Sequence, residues 1–195
     1  MPYGEGNNKT LANGDHAMIR KILLTIFVAV SATIGCTSIP QGLAPVTGFH
    51  PDRYLGKWYE IARLDHQFER NLTDVNATYT RSESDIIQVR NRGFDAKGGK
   101  WKEVQGRARF LISEDFGSLK VSFFGPFYGG YHIIALDQIN YQYAMVAGPS
   151  RSYLWILARQ KKLDERIYEE LLSKASTWGF DITQLIRVEH NLSVE

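Results

Sequence analysis

Residues 57–159 alternate between short runs of aromatic or β-branched residues and clusters of turn-forming residues, and this alternation constrains the fold more than any other feature. Runs of this kind predict β-strands, because such side chains suit a pleated surface. Turn signals lie at residues 95–99, 114–117 and 148–151. The predicted strands cover residues 57–63, 75–81, 86–91, 101–111, 118–124, 131–136, 141–147 and 153–159.

Eight consecutive strands with mostly short links predict an all-β, antiparallel up-and-down meander. Closing the sheet into a barrel removes its edges, and an eight-stranded barrel leaves an interior that can hold one small ligand. The formal net charge is only +2, from 23 basic and 21 acidic residues. This near-balance excludes a strongly basic nucleic-acid-binding protein.

One segment, residues 164–178, has the period of an amphipathic helix. It places Ile167, Leu171 and Ala175 on one face, and Gly179 suits the position after its C-terminus. The helix follows the eighth strand, so we expect it to pack on the outside of the barrel. Residues 182–188 are predicted as a short final strand.

The N-terminal region predicts an export signal. Arg20 and Lys21 precede an apolar run of 13 residues over 22–34, which is too short to span a membrane but suits a signal peptide. The following Gly35-Cys36 resembles a bacterial lipobox, although Thr33 stands where leucine is usual. The resemblance implies a diacylglyceryl anchor on Cys36, and Thr37 implies sorting to the outer membrane. The alternative is a soluble periplasmic protein with a free thiol.

These features divide the chain into three parts. Residues 1–35 are predicted as an N-terminal extension and lipoprotein signal peptide, with the true start at Met1 or Met18 left open. Residues 36–48, which are rich in glycine and proline, are predicted as a lipidated tether. Residues 49–195 form the predicted domain. Because Cys36 is the single cysteine, no intramolecular disulfide can form.

Three motifs resemble those of the lipocalin family. The central Gly56-x-Trp58-Tyr59 resembles the first lipocalin motif, Asp137 the second and Arg159 the third. They occur in the family's order and are followed by the predicted helix. The resemblance implies an eight-stranded lipocalin β-barrel with one C-terminal α-helix packed outside. It also implies that the Arg159 guanidinium lies over the Trp58 indole at the closed end, as a structural pair.

Residues 119–131 and 153–157 are more specifically similar to bacterial lipocalins. That group implies binding of fatty acids or lysophospholipids, for storage or transport in envelope maintenance under stress. It implies a lipid-anchored position on the periplasmic face of the outer membrane. Neither a cofactor nor a metal is expected, since the five histidines, at positions 16, 50, 66, 132 and 190, lack metal-ligand spacing.

The ligand pocket is expected along one face of each strand. On the fourth strand the apolar phase is mostly small, which indicates space inside the barrel. The expected lining residues are Val104, Ala108, Phe110, Val121, Phe123, Tyr131, Ile133 and Trp155. At the rim, Phe127 and Tyr128 are expected either to cover the ligand, with the Tyr128 hydroxyl at its headgroup, or to pack within the loop or at a dimer contact.

Three other functions remain open. An enzyme needs a nucleophile or paired carboxylates inside the barrel, and the sequence indicates neither. A haem or pigment carrier needs an inward-facing histidine, and His132 is the only histidine on a predicted strand. An interaction module would use residues 125–131 as a homodimer face. The loop residues Asp65, His66, Glu69 and Arg70 are predicted to be solvated, with a polar entrance to the barrel as the alternative.

Overall fold

The computed structural model describes Met1 and residues 37–82 and 86–192, so the predicted signal peptide and Cys36 lie outside the described residues. Eight strands follow one another in the chain. They are β1 (Gly56–Arg63), β2 (Leu72–Arg81), β3 (Ile87–Asp95), β4 (Lys100–Phe110), β5 (Ser118–Ser122), β6 (Gly129–Leu136), β7 (Tyr143–Ala147) and β8 (Leu154–Ala158).

These strands form a closed antiparallel barrel. Each strand pairs with the next along the chain, and β1 closes the ring by pairing with both β2 and β8. The predicted meander is therefore confirmed, with strand ends that coincide with the predicted ends or differ from them by up to four residues. The largest differences include β2, which begins at Leu72, because a bulge between Thr73 and Asn76 interrupts its pairing with β3 without ending the strand.

Two helices flank the barrel. A single turn, α1 (Pro51–Tyr54), precedes β1 and was not predicted from the sequence. The predicted helix is confirmed as α2 (Glu165–Thr177), where the Asp164 carboxylate accepts hydrogen bonds from two backbone N–H groups at the N-terminus. Within residues 37–82 and 86–192, neither helix has the length and apolar composition to cross a membrane.

The prediction of a strand over residues 182–188 is only partly correct. A short 3-10 helix covers Ile182–Gln184, because the Asp181 carboxylate accepts a hydrogen bond from the Thr183 N–H and turns the chain. Only β9 (Ile186–Arg187) is extended, and it pairs with the end of β1.

Apolar residues form two separate cores. One lies inside the barrel and includes Trp58, Ile133 and Leu157. The other lies between the outer surface of the barrel and α2, where Leu171 and Ala175 pack. Strands β7 and β8 contribute to both cores with alternate residues, which explains why both phases of these strands are apolar in the sequence.

The segment predicted as a tether packs against the barrel from residue 37 onward. The Val46 N–H donates to the Ile133 carbonyl at 2.8 Å, and the Gly117 N–H donates to the Val46 carbonyl at 2.9 Å. Ile39 and Leu43 pack on the outer core beside α2. Residues 37–48 are therefore not a free linker, because their apolar side chains are covered by the domain.

Candidate functional site

One end of the barrel is closed by the residues of the family motifs. The Arg159 guanidinium lies 4.0 Å from the centre of the Trp58 ring, as the sequence predicted. The same guanidinium donates to the carbonyls of Lys57, at 2.9 Å, and Arg53, at 2.7 Å. Trp58 is completely buried, and its indole N–H donates to the Tyr54 carbonyl. Among the described residues, these contacts pack this end of the barrel tightly around Trp58, and we call it the closed end.

The remaining motif residues also have structural positions and do not line the interior. Gly56 has a φ of +93°, which favours glycine, and a Cβ there would lie 3.4 Å from Arg159 Nη1. The Asp137 carboxylate accepts hydrogen bonds from the N–H groups of Ile139, Asn140 and Gln142 and so fixes the turn between β6 and β7. Tyr59 packs edge-on against His190, at a ring distance of 5.6 Å.

The opposite end carries the other four strand connections, namely residues 64–71, 96–99, 123–128 and 148–153. Since consecutive strands run antiparallel, these loops all lie at the end away from Trp58 and Arg159. We call it the open end.

The barrel interior is filled on one side and accessible on the other. On β7 and β8, the inward residues Ala144, Val146 and Leu157 are buried. Across the barrel, the inward residues Ala77 and Val104 are only half-buried. Both are register neighbours of Asn91 on β3, so they form one row across three strands. Inward side chains that remain accessible mark open space beside β2, β3 and β4.

Most of the predicted lining residues meet inside the barrel. Val104 lies on the same inner face but outside the apolar cluster. The small residues of β4 do not all leave free space, because the Phe123 ring occupies the space over Gly106, 2.6 Å from where a Cβ would be. The interior cluster contains Ala108, Phe110, Val121, Phe123, Tyr131, Ile133 and Trp155.

The two predicted rim residues lie outside this cluster. Phe127 is 79% exposed at the open end. The Tyr128 ring lies 5.1 Å from Lys120 Nζ, and Lys120 is on β5 between the inward-facing Leu119 and Val121. Tyr128 therefore packs beside the outer face of the strand, and its hydroxyl is not brought to the interior space in this conformation.

Three tyrosine hydroxyls form a chain across the interior. Tyr131 Oη lies 2.8 Å from both Tyr54 Oη and Tyr79 Oη. Burial is the main cause that raises the pKa of each of these phenols above its usual value. The three groups are therefore neutral donors and acceptors, and they give the closed side of the cavity a polar floor.

A charged cluster lies inside the barrel towards the open end. Arg63 Nη1 donates to Glu60 Oε1 at 2.6 Å, with both side chains almost fully buried. Arg63 Nη2 donates to the Glu69 carbonyl at 2.8 Å. The Trp155 indole N–H donates to Glu69 Oε2 at 3.0 Å and links the loop between β1 and β2 to β8. We call Glu60, Arg63, Glu69 and Trp155 the acid cluster.

Both carboxyl groups of the acid cluster have raised pKa values. Burial, followed by repulsion from Glu69, raises the pKa of Glu60 well above its usual value, against the attraction of Arg63. Burial also raises the pKa of Glu69, although the Trp155 hydrogen bond and Arg63 oppose this rise. The positive charge of one guanidinium, that of Arg63, therefore acts on two buried carboxyl groups.

The open-end loop is partly buried, contrary to the prediction that it is solvated. Asp65 and Arg70 do form an exposed ion pair, but His66 and Glu69 are buried. The His66 ring stacks on Tyr153 at 4.7 Å and lies 4.9 Å from Trp155. Burial is the main cause that lowers the pKa of His66 to about 4, and Arg63 adds to this effect.

The structure corrects one expectation about the alternative functions and answers the question that was left open for His132. The interior does contain paired carboxylates, Glu60 and Glu69, which the sequence analysis did not find. His132 faces away from the interior, because its neighbours Tyr131 and Ile133 are the inward residues. Its Nδ1 lies 3.0 Å from Ser118 Oγ, so His132 is not placed to bind haem inside the barrel.

The sequence contained a signal for part of the acid cluster. Trp58 faces inward, so strand alternation places Glu60 inward as well. Arg63 lies an odd number of positions from Glu60 and should face outward. It faces inward because the pairing of β1 with β8 shifts register between Glu60 and Ala62. No local pattern predicts such a bulge.

Comparison with known proteins identifies the family. The model of the lipocalin-like domain matches residues 50–190. The outer membrane lipoprotein Blc of Vibrio cholerae is 46% identical over 155 residues, covering 80% of this chain and 91% of that protein. Blc of Escherichia coli K12 is 44% identical over 172 residues, covering 86% and 97%. The chain belongs to the lipocalin family.

Solved structures support the same fold. Insecticyanin from the tobacco hornworm Manduca sexta aligns with a TM-score of 0.64 and 19% identity, covering 80% of this chain and 88% of that chain. The cockroach allergen Per a 4 aligns with a TM-score of 0.63 and 19% identity, covering 80% and 96%. These likenesses concern the barrel architecture alone.

Proposed function

We propose that this lipocalin binds a single-chain amphiphile, a fatty acid or a lysophospholipid, with the acyl chain in the open half of the barrel. The observation that carries this proposal is the row of half-buried inward residues, Ala77, Asn91 and Val104, facing a packed apolar wall. Entry is through the open end, since Trp58 and Arg159 close the other.

Burial of the chain supplies the affinity without any chemical step. About 12 buried CH₂ groups contribute roughly 10 kcal/mol before the cost of ordering the ligand. We therefore propose a storage or transport role and no catalysis. An enzyme could use the paired carboxyls Glu60 and Glu69. Because each already accepts a hydrogen bond, from Arg63 and from Trp155 respectively, we propose a binding role for them instead.

We propose that Cys36 carries the lipid anchor and holds the protein at the periplasmic face of the outer membrane, for envelope maintenance under stress. Support comes from relatives named outer membrane lipoprotein. The Thr37 carbonyl lies 3.2 Å from the Cβ position of Gly130, close to the open end on β6. An anchor on the preceding residue would keep the open end near the membrane. Loss of radioactive palmitate labelling and of outer-membrane fractionation in Cys36→Ser tests this.

Fluorescence of Trp155 tests ligand binding directly. The full chain carrying Cys36→Ser is titrated with palmitic acid and with a palmitoyl lysophospholipid. We expect a saturable one-to-one change in the wild-type fluorescence, and its loss in Trp155→Phe, because Trp155 lies in the interior cluster. No saturable change, together with no displacement of a fluorescent fatty acid, would show that the barrel takes no lipid.

A homodimer through the loop of residues 123–128 is a second proposal, compatible with the first. Phe124 and Phe127 are 75% and 79% exposed in this loop. Large exposed apolar side chains of this kind favour a protein or membrane contact. We expect a dimer in sedimentation equilibrium that is weakened by Phe127→Ser. A monomer at all concentrations would contradict the dimer and leave the binding proposal intact.

A further inference from the structure

The acid cluster has more acceptors than donors. Glu60 and Glu69 each have one carboxyl oxygen bonded, to Arg63 and to Trp155 respectively. Their second oxygens, Glu60 Oε2 and Glu69 Oε1, accept no hydrogen bond from the described residues. Arg63 is 2% exposed, and its Nε–H is buried without an acceptor. The cluster is therefore a partly satisfied polar site inside an apolar barrel.

Buried charges in proteins are normally paired and hydrogen-bonded, because an unpaired buried charge is costly. When both carboxyls are ionised, the single guanidinium leaves one negative charge without a partner, which a proton neutralises in the empty cluster and a cationic group can neutralise in the occupied one. The group that completes this site must carry one positive charge and several N–H donors. A primary ammonium has three donors, whereas a trimethylammonium has none.

The neighbouring aromatic faces suit the same group. Trp155 belongs to the acid cluster, and its ring lies 6.2 Å from the Tyr153 ring with 29° between the two planes. The His66 ring stacks on Tyr153 and is tilted by 43° to Trp155, and it is neutral at pH 7 because burial lowers its pKa to about 4. Indole and phenol faces attract cations, and the neutral imidazole of His66 does not repel a cation bound there.

We propose that the ligand's headgroup carries a primary ammonium group, which binds between Glu60 and Glu69 inside the barrel. The inference rests on the proposed function, since it specifies the headgroup of the bound amphiphile. An ethanolamine-type lysophospholipid has this chemistry.

Three ligands with the same palmitoyl chain test the proposal. Lysophosphatidylethanolamine, lysophosphatidylcholine and lysophosphatidylglycerol displace a fluorescent fatty acid from the full chain carrying Cys36→Ser. We expect the ethanolamine ligand to bind about tenfold more tightly than the other two, the effect of one charge-assisted hydrogen bond. In Glu69→Gln this preference should fall to about twofold.

The matched control is Glu103→Gln, the same substitution on β4 at an exposed residue whose carboxylate lies 3.9 Å from Arg90. It should keep the full preference. Equal affinity for the three ligands, or a preference that survives in Glu69→Gln, would overturn the headgroup inference while the proposed function stands. Equal binding of choline and ethanolamine would also overturn it, in favour of the aromatic faces. If neither the probe nor any ligand binds, the proposed function itself fails.

A second measurement needs no variant of the cluster. Burial raises the pKa of both carboxyls, which favours a proton on the empty cluster, and a bound ammonium would displace that proton. Calorimetric titrations at a series of pH values, each in two buffers of different ionisation enthalpy, should show proton release with the ethanolamine ligand over the range in which the empty cluster is protonated. The glycerol ligand should release none. The same proton count for both ligands would contradict the proposal.

Discussion

Arg63 is the residue on which the buried charges of the interior depend. Its guanidinium donates to Glu60 Oε1 and to the Glu69 carbonyl, and its side chain is almost fully buried. Within the described residues, no other cation forms an ion pair with Glu60. Removing the guanidinium leaves both carboxyls in an apolar interior, which favours their protonation or unfolding.

Arg63→Ala should therefore lower the free energy of unfolding by about 3 to 5 kcal/mol at pH 7, as expected for breaking a buried ion pair. Urea denaturation measures this change. Arg70→Ala is the matched control, because Arg70 pairs with Asp65 at the surface, where solvent screening leaves such a pair with little effect on stability. Equal effects of the two substitutions would show that the acid cluster is not a buried ion pair in solution.

His66 makes the free energy of unfolding depend on pH, and the lowered pKa of this residue fixes the sign of the dependence. Its pKa is about 4 in the folded protein against an ordinary value of 6.5, so between these values the unfolded chain binds the extra proton. Stability from His66 is present above pH 6.5 and is lost as the pH falls towards 4. Glu60 and Glu69 act in the opposite direction, because their folded pKa values are raised.

Comparison with His66→Phe isolates this contribution. The stability advantage of the wild type over the variant should fall by about 2 to 3 kcal/mol between pH 7 and pH 4. Urea denaturation across this range measures it. Phe68→Leu removes a ring that stacks on His66 but has no titratable group. The difference in the free energy of unfolding between this variant and the wild type should therefore stay constant with pH. A constant difference for His66→Phe would contradict the burial of the imidazole.

At the scale of the elements, strand alternation predicted the barrel interior well. The phase containing Ala108 and Phe110 on β4 was assigned inward from its apolar character, and both residues lie in the interior cluster. The bulge in β1 could not be predicted, because it depends on pairing with β8 rather than on local sequence. Arg63 was missed for this reason, and α1 was missed because its one turn is too short for a periodic pattern.

The ring of Phe123 packs directly against Gly106 on β4. A Cβ at this position would lie 2.6 Å from the ring and 2.7 Å from the Ser122 carbonyl oxygen. Gly106→Ala should therefore destabilise the protein by about 1 to 3 kcal/mol, measured by thermal or urea unfolding.

The control substitution is Gly129→Ala on β6, where a Cβ would meet nothing within 4 Å. It should change the free energy of unfolding by less than about 0.5 kcal/mol. If Gly106→Ala were equally neutral, Phe123 would not occupy the space over β4 and the interior would be wider than described.

At the scale of the whole molecule, the order of motifs and turns predicted the family and the topology. The acid cluster and the packing of residues 37–48 depend on contacts between distant parts of the chain. The Trp155–Glu69 hydrogen bond joins residues 86 positions apart, and the Arg151 bond to the Gln41 carbonyl joins residues 110 apart. Such contacts leave no periodic or local signal, so a single sequence does not reveal them.

The central claim is that a lipid chain occupies the accessible half of the interior. The most direct test fills that space with Val104→Trp and measures the affinity for a fluorescent fatty acid, with Gln105→Trp on the exposed face of the same strand as control. The account predicts that Val104→Trp weakens binding at least about tenfold while Gln105→Trp binds as the wild type does. Equal affinities for both variants, in folded proteins of equal stability, would contradict binding inside the barrel.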